Sequence, residues 1–171
     1  MQRIGKIAAV AACAVAAGSG LTACGGDSDA APSRACTADD IATTGSFGQA
    51  PEITIPDDCA PPAKLVTKDL SVGTGAAAQQ GQAVAMDYTV VTWSDKKQLD
   101  TSFGKEPFTL HLGAGEVIQG WDQGLAGIKQ GGRRLLIIPP DLAYGQGGRG
   151  IAPNETLVFV ADAVAVPAAQ S

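Results

Sequence analysis

Ten consecutive residues, Ala83–Thr92, constrain the fold of this chain more than any other segment. In an extended backbone Val84, Met86, Tyr88 and Val90 fall on one side, and Ala85, Asp87 and Thr89 on the other. This period of two predicts a strand with one buried face, which needs both a sheet and a core. Other segments supply the sheet. Lys64–Val72 reads as a strand closed by Gly73-Thr74-Gly75, Phe108–Leu112 and Arg133–Ile138 as two more, and Thr156–Val166 as the last. Ser94-Asp95-Lys96-Lys97 is polar enough to turn the chain after the long strand.

A single helix is indicated. Ile118, Trp121, Leu125 and Ile128 succeed one another at intervals of three, four and three, which makes one apolar face. Gly120, Gly124 and Gly127 each lower its intrinsic propensity by about 1 kcal/mol relative to Ala. Such a helix depends on packing against the sheet. The expected class is α+β, an antiparallel sheet wrapped around one short helix, with no internal repeat.

The 171 residues hold one such domain, placed at residues 64–167 with a tail at 168–171, and extra segments before it. Arg3 and Lys6 precede an apolar run from Ile7 to Ala17, too short to cross a bilayer, which takes about 20 residues. The run ends near Leu21-Thr22-Ala23-Cys24. This order is that of a bacterial lipoprotein signal over residues 1–23, with Cys24 taking a palmitate-type lipid as the first mature residue. The alternative is an ordinary signal peptide cleaved near Ala23. The lipoprotein reading places the protein outside the cell, anchored to the outer face of the bacterial cytoplasmic membrane. Residues 24–35 then form a flexible tether.

Residues 36–63 form an N-terminal extension in which Pro51-Glu52-Ile53-Thr54-Ile55-Pro56 has the pattern of a short edge strand. Cys36 and Cys59 are an even pair in an exported chain, and a disulfide is the economical reading. It would close a loop worth roughly 3 kcal/mol in the loop-entropy model. Zinc would need more ligands than these two, and the only histidine, His111, lies far along the chain.

Composition removes several function classes. The formal net charge is −5, from 12 Lys and Arg against 17 Asp and Glu. Nucleic acid is therefore not an expected partner, since phosphate backbones need a basic face. Gly145-Gln146-Gly147-Gly148-Arg149-Gly150 lacks the Lys-Ser/Thr of a phosphate loop. No serine elbow occurs, and His111 in an apparent strand suits a surface role. What remains is aromatic: Tyr88, Phe108, Trp121, Tyr144 and Phe159 all fall within the domain. On their own, five such rings read as core packing.

Their setting is more specific. Tyr88-Thr89, Leu99-Asp100-Thr101-Ser102, Pro107-Phe108 and Leu112-Gly113 resemble the FKBP family of peptidyl-prolyl isomerases, the macrolide-binding immunophilins. So do Glu116-Val117-Ile118-Gln119-Gly120-Trp121, Ile138-Pro139-Pro140-Asp141-Leu142-Ala143-Tyr144-Gly145 and Pro153-Asn154-Glu155-Thr156-Leu157-Val158-Phe159. The resemblance covers Lys64–Val166 and implies a curved antiparallel sheet closing over one helix. Together with an export signal it resembles bacterial lipoprotein foldases.

The resemblance further implies an X-Pro isomerase for unfolded or exported polypeptides, with no metal and no cofactor. Trp121 would form the pocket floor, with walls from Tyr88, Phe108, Val117, Ile118 and Phe159. Tyr144 and Ile151 would sit on a loop over the rim, and Asp100 at one side. The Ile118 amide and the Tyr144 hydroxyl would donate to ligand carbonyls. Leu99, Glu116 and Ala143 would complete the substrate-binding set. Macrolide inhibitors would take the same pocket. Leu99 stands where the family usually has Phe, Phe103-Gly104-Lys105 where an Arg often pairs the pocket Asp, and Asp87 where His is common. The Gly145–Ile151 segment is shortened. These departures leave open a second reading, an FKBP-like module that binds proline segments or a partner with little turnover.

Overall fold

A computed structural model of the chain describes residues 34–168. The leader, Cys24, most of the tether and the last three residues lie outside the described residues. In chain order the strands are β1 (Ala42–Thr43), β2 (Ile53–Thr54), β3 (Val66–Ser71), β4 (Ala83–Thr92), β5 (Gln98–Thr101), β6 (Phe108–His111), β7 (Arg133–Ile138) and β8 (Leu157–Ala165). The single α-helix, α1, is Gln119–Gly124, and Pro140–Leu142 makes one turn of 3-10 helix.

The long alternating segment becomes β4 over the ten residues expected. Along one edge it pairs with β8, from Ala85↔Ala165 to Thr92↔Leu157. Along the other edge β6 takes its first half, Ala83–Met86, and β5 takes Thr89–Val91. The sheet runs β3-β7-β8-β4-β5, with β6 beside β5 on β4, and every pairing is antiparallel. This α+β arrangement of an antiparallel sheet and one short helix is the expected class.

Helix α1 is shorter than the apolar spacing suggested. Leu125 and Ile128 are buried as that spacing requires, but they lie beyond the helix, which ends at Gly124. Gly127 has φ +76°, a left-handed conformation that stops a helix at no steric cost. Its amide donates to Ala78 O at 2.8 Å, and Ala78 N to Ile128 O at 2.8 Å. The chain after α1 thus pairs with the segment before β4. Periodicity here reported burial, not helix.

Both faces of the sheet are covered. Val84, Met86, Leu136, Ile138, Leu157 and Phe159 meet Trp121 and Leu125 on the helix-bearing face. Leu135, Ile137, Val158 and Val160 point the other way and pack under Ala38, Ile41 and Ile55 of the extension. This explains why β7 and β8 read as continuous apolar runs, since a strand buried on both sides has no polar face to alternate with.

The extension is a disulfide-closed cap. Cys36 and Cys59 are bonded, with Cα atoms 5.1 Å apart, and β1 pairs with β2 as a small separate sheet. Arg34 reaches Asp40 through two nitrogens at 2.9 and 3.0 Å and Asp58 at 3.1 Å, which ties the two ends of the loop together.

Under the cap lies a buried ion pair. Arg133 and Asp162 face each other across β7 and β8. Arg133 Nε donates to Asp162 at 2.5 Å and Nη2 at 2.8 Å, with both side chains almost fully buried. The cap supplies the remaining partners. Gly45 O and Gln49 O accept from Arg133 at 2.9 and 2.6 Å, and Gly48 N donates to Asp162 at 2.6 Å. A buried charge is tolerable only when its other hydrogen bonds are also met. Backbone from residues 45–49 meets them here.

Candidate functional site

The floor is set by α1. Its residue Trp121 is only 4% exposed, because the helix lies very close to β7. A Cβ built on Gly120 would stand 2.3 Å from Ile138 Cγ2, and one on Gly124 2.4 Å from Leu136 Cδ2. The glycines that weaken the helix are therefore the condition for seating it. Arg134 holds its far end, donating to Gly124 O at 2.9 Å and Ala126 O at 3.0 Å while paired with Asp69. A guanidinium there satisfies carbonyls that the last helical turn leaves open.

Three rings stand edge-on to the indole. Tyr88, Phe159 and Phe108 have centroids 5.3, 5.4 and 6.0 Å from Trp121, at interplanar angles of 85°, 76° and 78°. T-shaped pairs of this kind add about 0.5–1.5 kcal/mol each beyond burial. Each ring owes its place to strand register. Tyr88 follows the apolar alternation of β4, and Phe159 lies two residues beyond Leu157 on β8. Phe108 opens β6 opposite Met86. The Trp121 N–H is buried and has no hydrogen-bond partner, an unpaired donor in an otherwise apolar floor.

At one side lies Asp100 on β5. Tyr88 Oη donates to it at 2.7 Å and the Thr101 amide at 2.8 Å. Lys105 Nζ lies 3.7 Å away, so the lysine acts as a nearby charge without the bidentate grip of an arginine. The Tyr88 hydrogen bond, helped by the Thr101 amide and Lys105 and opposed by partial burial, holds the Asp100 carboxyl below the ordinary carboxylate range. Burial and the Asp100 charge together push the Tyr88 phenol far up. The pair is a neutral phenol donating to a stable carboxylate.

The loop leading into α1 is pinned by two carboxylates. Asp122 accepts from the amides of Gly113 and Gly115 at 2.7 and 3.1 Å. Glu116 accepts from the His111 amide at 2.9 Å and contacts His111 Nδ1 at 3.0 Å. The His111 amide lowers the Glu116 pKa despite some desolvation. His111 itself is exposed at the end of β6, outside the cavity. The loop delivers Val117 and Ile118, whose extended backbone (φ −61°, ψ 146°) precedes the helix. The Ile118 amide and the Tyr144 hydroxyl have no protein hydrogen-bond partner among the described residues.

Over the rim runs the segment after the 3-10 turn. Gly145 N donates to Pro140 O at 2.9 Å, Gly147 N to Tyr144 O at 2.8 Å, and Asn154 N to Gly145 O at 2.8 Å. Gly148 and Ile151 exchange both backbone hydrogen bonds at 3.0 Å. The shortened segment is thus an ordered tight loop.

Together these parts enclose a cavity of about 450 Å³, of the size that takes a small apolar ligand. Its lining includes Tyr88, Asp100, Phe108, Val117, Ile118 and Trp121, with Tyr144 and Phe159. Leu99, Glu116 and Ile151 line it too. Ala143 does not, and packs instead against the core beneath the loop. Sequence reasoning missed Val90, Leu157 and Arg149. The first two continue strand alternations already visible, whereas nothing in the glycine-rich stretch marked Arg149. The site offers a dry aromatic floor, a rim with two open donors and no nucleophile in reach. It suits holding an apolar ring and orienting carbonyls beside it.

Comparison with known proteins agrees. Residues 75–162 match the family described as FKBP-type peptidyl-prolyl cis-trans isomerase. An FK506-binding protein of Streptomyces anulatus is 51% identical over 120 residues, covering 68% of this chain and 96% of that protein. The 39 kDa FK506-binding nuclear protein of Drosophila melanogaster is 45% identical over 100 residues, 57% of this chain but 28% of that longer protein. Among solved structures, AtFKBP13 aligns with TM-score 0.55 at 36% identity over 59% of this chain and 91% of that one. FkpA from Escherichia coli aligns with TM-score 0.56 at 40% identity over 62% of this chain and 49% of its own. Cavity, sheet and sequence lead to one family, and this chain belongs to the FKBP-type peptidyl-prolyl cis-trans isomerases.

Proposed function

We propose that the cavity floored by Trp121 isomerises X-Pro bonds in incompletely folded, exported polypeptides. The barrier to that rotation, about 18–20 kcal/mol, comes from amide resonance, and unaided exchange takes tens to hundreds of seconds. No bond need break. The site has only to bind the twisted amide better than either planar form. A twisted amide has a less polarised carbonyl, which a dry aromatic slot favours. Donors fixed at the Ile118 amide and the Tyr144 hydroxyl would orient the flanking carbonyls without reorganisation. Asp100, paired with Tyr88, holds the wall and does not attack. The observation that carries this reading is the buried indole with three rings edge-on around it.

The test is NMR exchange spectroscopy on a Leu-Pro peptide. Catalysed cis/trans exchange supports the proposal. Chemical-shift changes at Trp121 without faster exchange would favour a binding module instead. The relatives' description as FK506-binding supports FK506-type macrolides as competitors for this cavity, and such a compound should abolish the acceleration.

The leader pattern and the closed Cys36–Cys59 bond support an exported protein, since disulfides persist in oxidising compartments. A lipid on Cys24 would hold it at the outer face of the bacterial cytoplasmic membrane, where exported chains emerge. That anchor predicts detergent-phase partitioning lost in Cys24→Ala. Unchanged partitioning would refute it.

A further inference from the structure

We infer that Arg149 makes this site select substrates carrying a carboxylate side chain next to the proline. The inference rests on the isomerase reading of the cavity. Three charged residues line that cavity: Asp100, Glu116 and Arg149. Asp100 is hydrogen-bonded by Tyr88 with Lys105 nearby, and Glu116 is held by His111. Arg149 alone has no ion pair or hydrogen bond to another side chain among the described residues.

Its backbone is nonetheless fixed. Arg149 and Gly150 have φ +54° and +82°, and they sit between Gly148 and Ile151, which exchange both of their backbone hydrogen bonds. That is the pattern of a two-residue hairpin turn of type I′. An arginine at its first central position accepts a left-handed conformation that costs a non-glycine residue roughly 1–2 kcal/mol. The turn is anchored at its far end by Ile151, which is buried in the cavity wall. A guanidinium is thus presented at the mouth of the pocket on a rigid support, with its five donors unengaged by any side chain. A carboxylate beside a bound proline offers it a planar, bidentate partner.

The pair would be solvent-exposed, so the effect is modest and falls with salt. A preference of about three-fold in kcat/KM is the expected scale. The experiment uses proline peptides with Glu, Gln or Lys immediately before or after the proline, at low ionic strength. In the wild type, Glu should exceed Gln at one flank at least, with Lys below both. In Arg149→Gln the Glu/Gln ratio should fall to about one, and in Arg149→Lys it should largely persist. Comparing peptides on one enzyme cancels any general change in activity. A wild-type ratio of one or less at both flanks, or an undiminished ratio in Arg149→Gln, would overturn the inference. Absence of acceleration on every peptide would overturn the isomerase reading and this inference with it.

Discussion

Gly120 and Ile138 touch so closely that a methyl group on the glycine would lie 2.3 Å from Ile138 Cγ2. Helix propensity favours alanine over glycine by about 1 kcal/mol, yet the clash decides the sign here. Overpacking a filled core costs about 1–3 kcal/mol. Gly120→Ala should therefore lower stability by roughly 1–2 kcal/mol in urea unfolding, and adding Ile138→Val should restore part of it. A stabilised Gly120→Ala would show that the helix does not sit this close to β7.

The hydrogen bond from Tyr88 to Asp100 makes a prediction about pH. Asp100 and Glu116 both have lowered pKa values, set first by Tyr88 and by the His111 amide respectively. What they contribute to stability is present above the ordinary carboxylate pKa of about 4. It is lost as pH falls through their lowered values. Between about pH 5 and 8 neither carboxylate changes charge, and no proton transfer is required. The kcat/KM profile should be flat there, and Tyr88→Phe should raise the Asp100 midpoint seen by NMR. A bell-shaped profile would mean that an acid or base takes part.

The Arg133–Asp162 pair predicts that the cap is integral to the domain. Removing one partner of a buried ion pair leaves the other charged and unpaired, which costs about 3–5 kcal/mol. Asp162→Asn should cost an amount in this range, a large share of a typical folding free energy of about 5–15 kcal/mol. A loss below about 1 kcal/mol would mean that the cap backbone at residues 45–49 satisfies Arg133 by itself.

Cys36–Cys59 closes the cap. Reduction, or the double replacement Cys36→Ser/Cys59→Ser, should lower stability by about 3 kcal/mol, read as a fall in Tm. Intact mass of the native protein should be about two hydrogens below that of the reduced form. Two free thiols in exported protein would contradict both statements.

Legibility of the fold followed burial pattern. β4 and β7 could be read residue for residue, because alternation or an apolar run marked each. β5 left no trace: Gln98-Leu99-Asp100-Thr101 is a largely exposed edge strand with no apolar face. The end of α1 was misread because Leu125 and Ile128 are buried on a turn that continues the helical spacing. The cap's place was hidden for a different reason. Its polar contacts to Arg133 and Asp162 join residues 84 to 114 positions apart, and no local pattern encodes such a distance. The pocket was legible through the family resemblance, whereas the rings by themselves could equally have been core. Arg149 was missed because its turn conformation, and not its neighbours in sequence, brings it to the cavity.

The most direct measurement is kcat/KM for a Leu-Pro peptide in wild type, Trp121→Ala and Phe108→Ala, each checked for folding by circular dichroism. Trp121→Ala empties a buried floor and can cost about 3–5 kcal/mol of stability. Phe108, 42% exposed at the rim, tests the same cavity with less risk to the fold. The account predicts clear catalysis in the wild type and a loss of about ten-fold or more, or about 1.4 kcal/mol of transition-state stabilisation, in each folded variant. Folded variants with undiminished kcat/KM would contradict it.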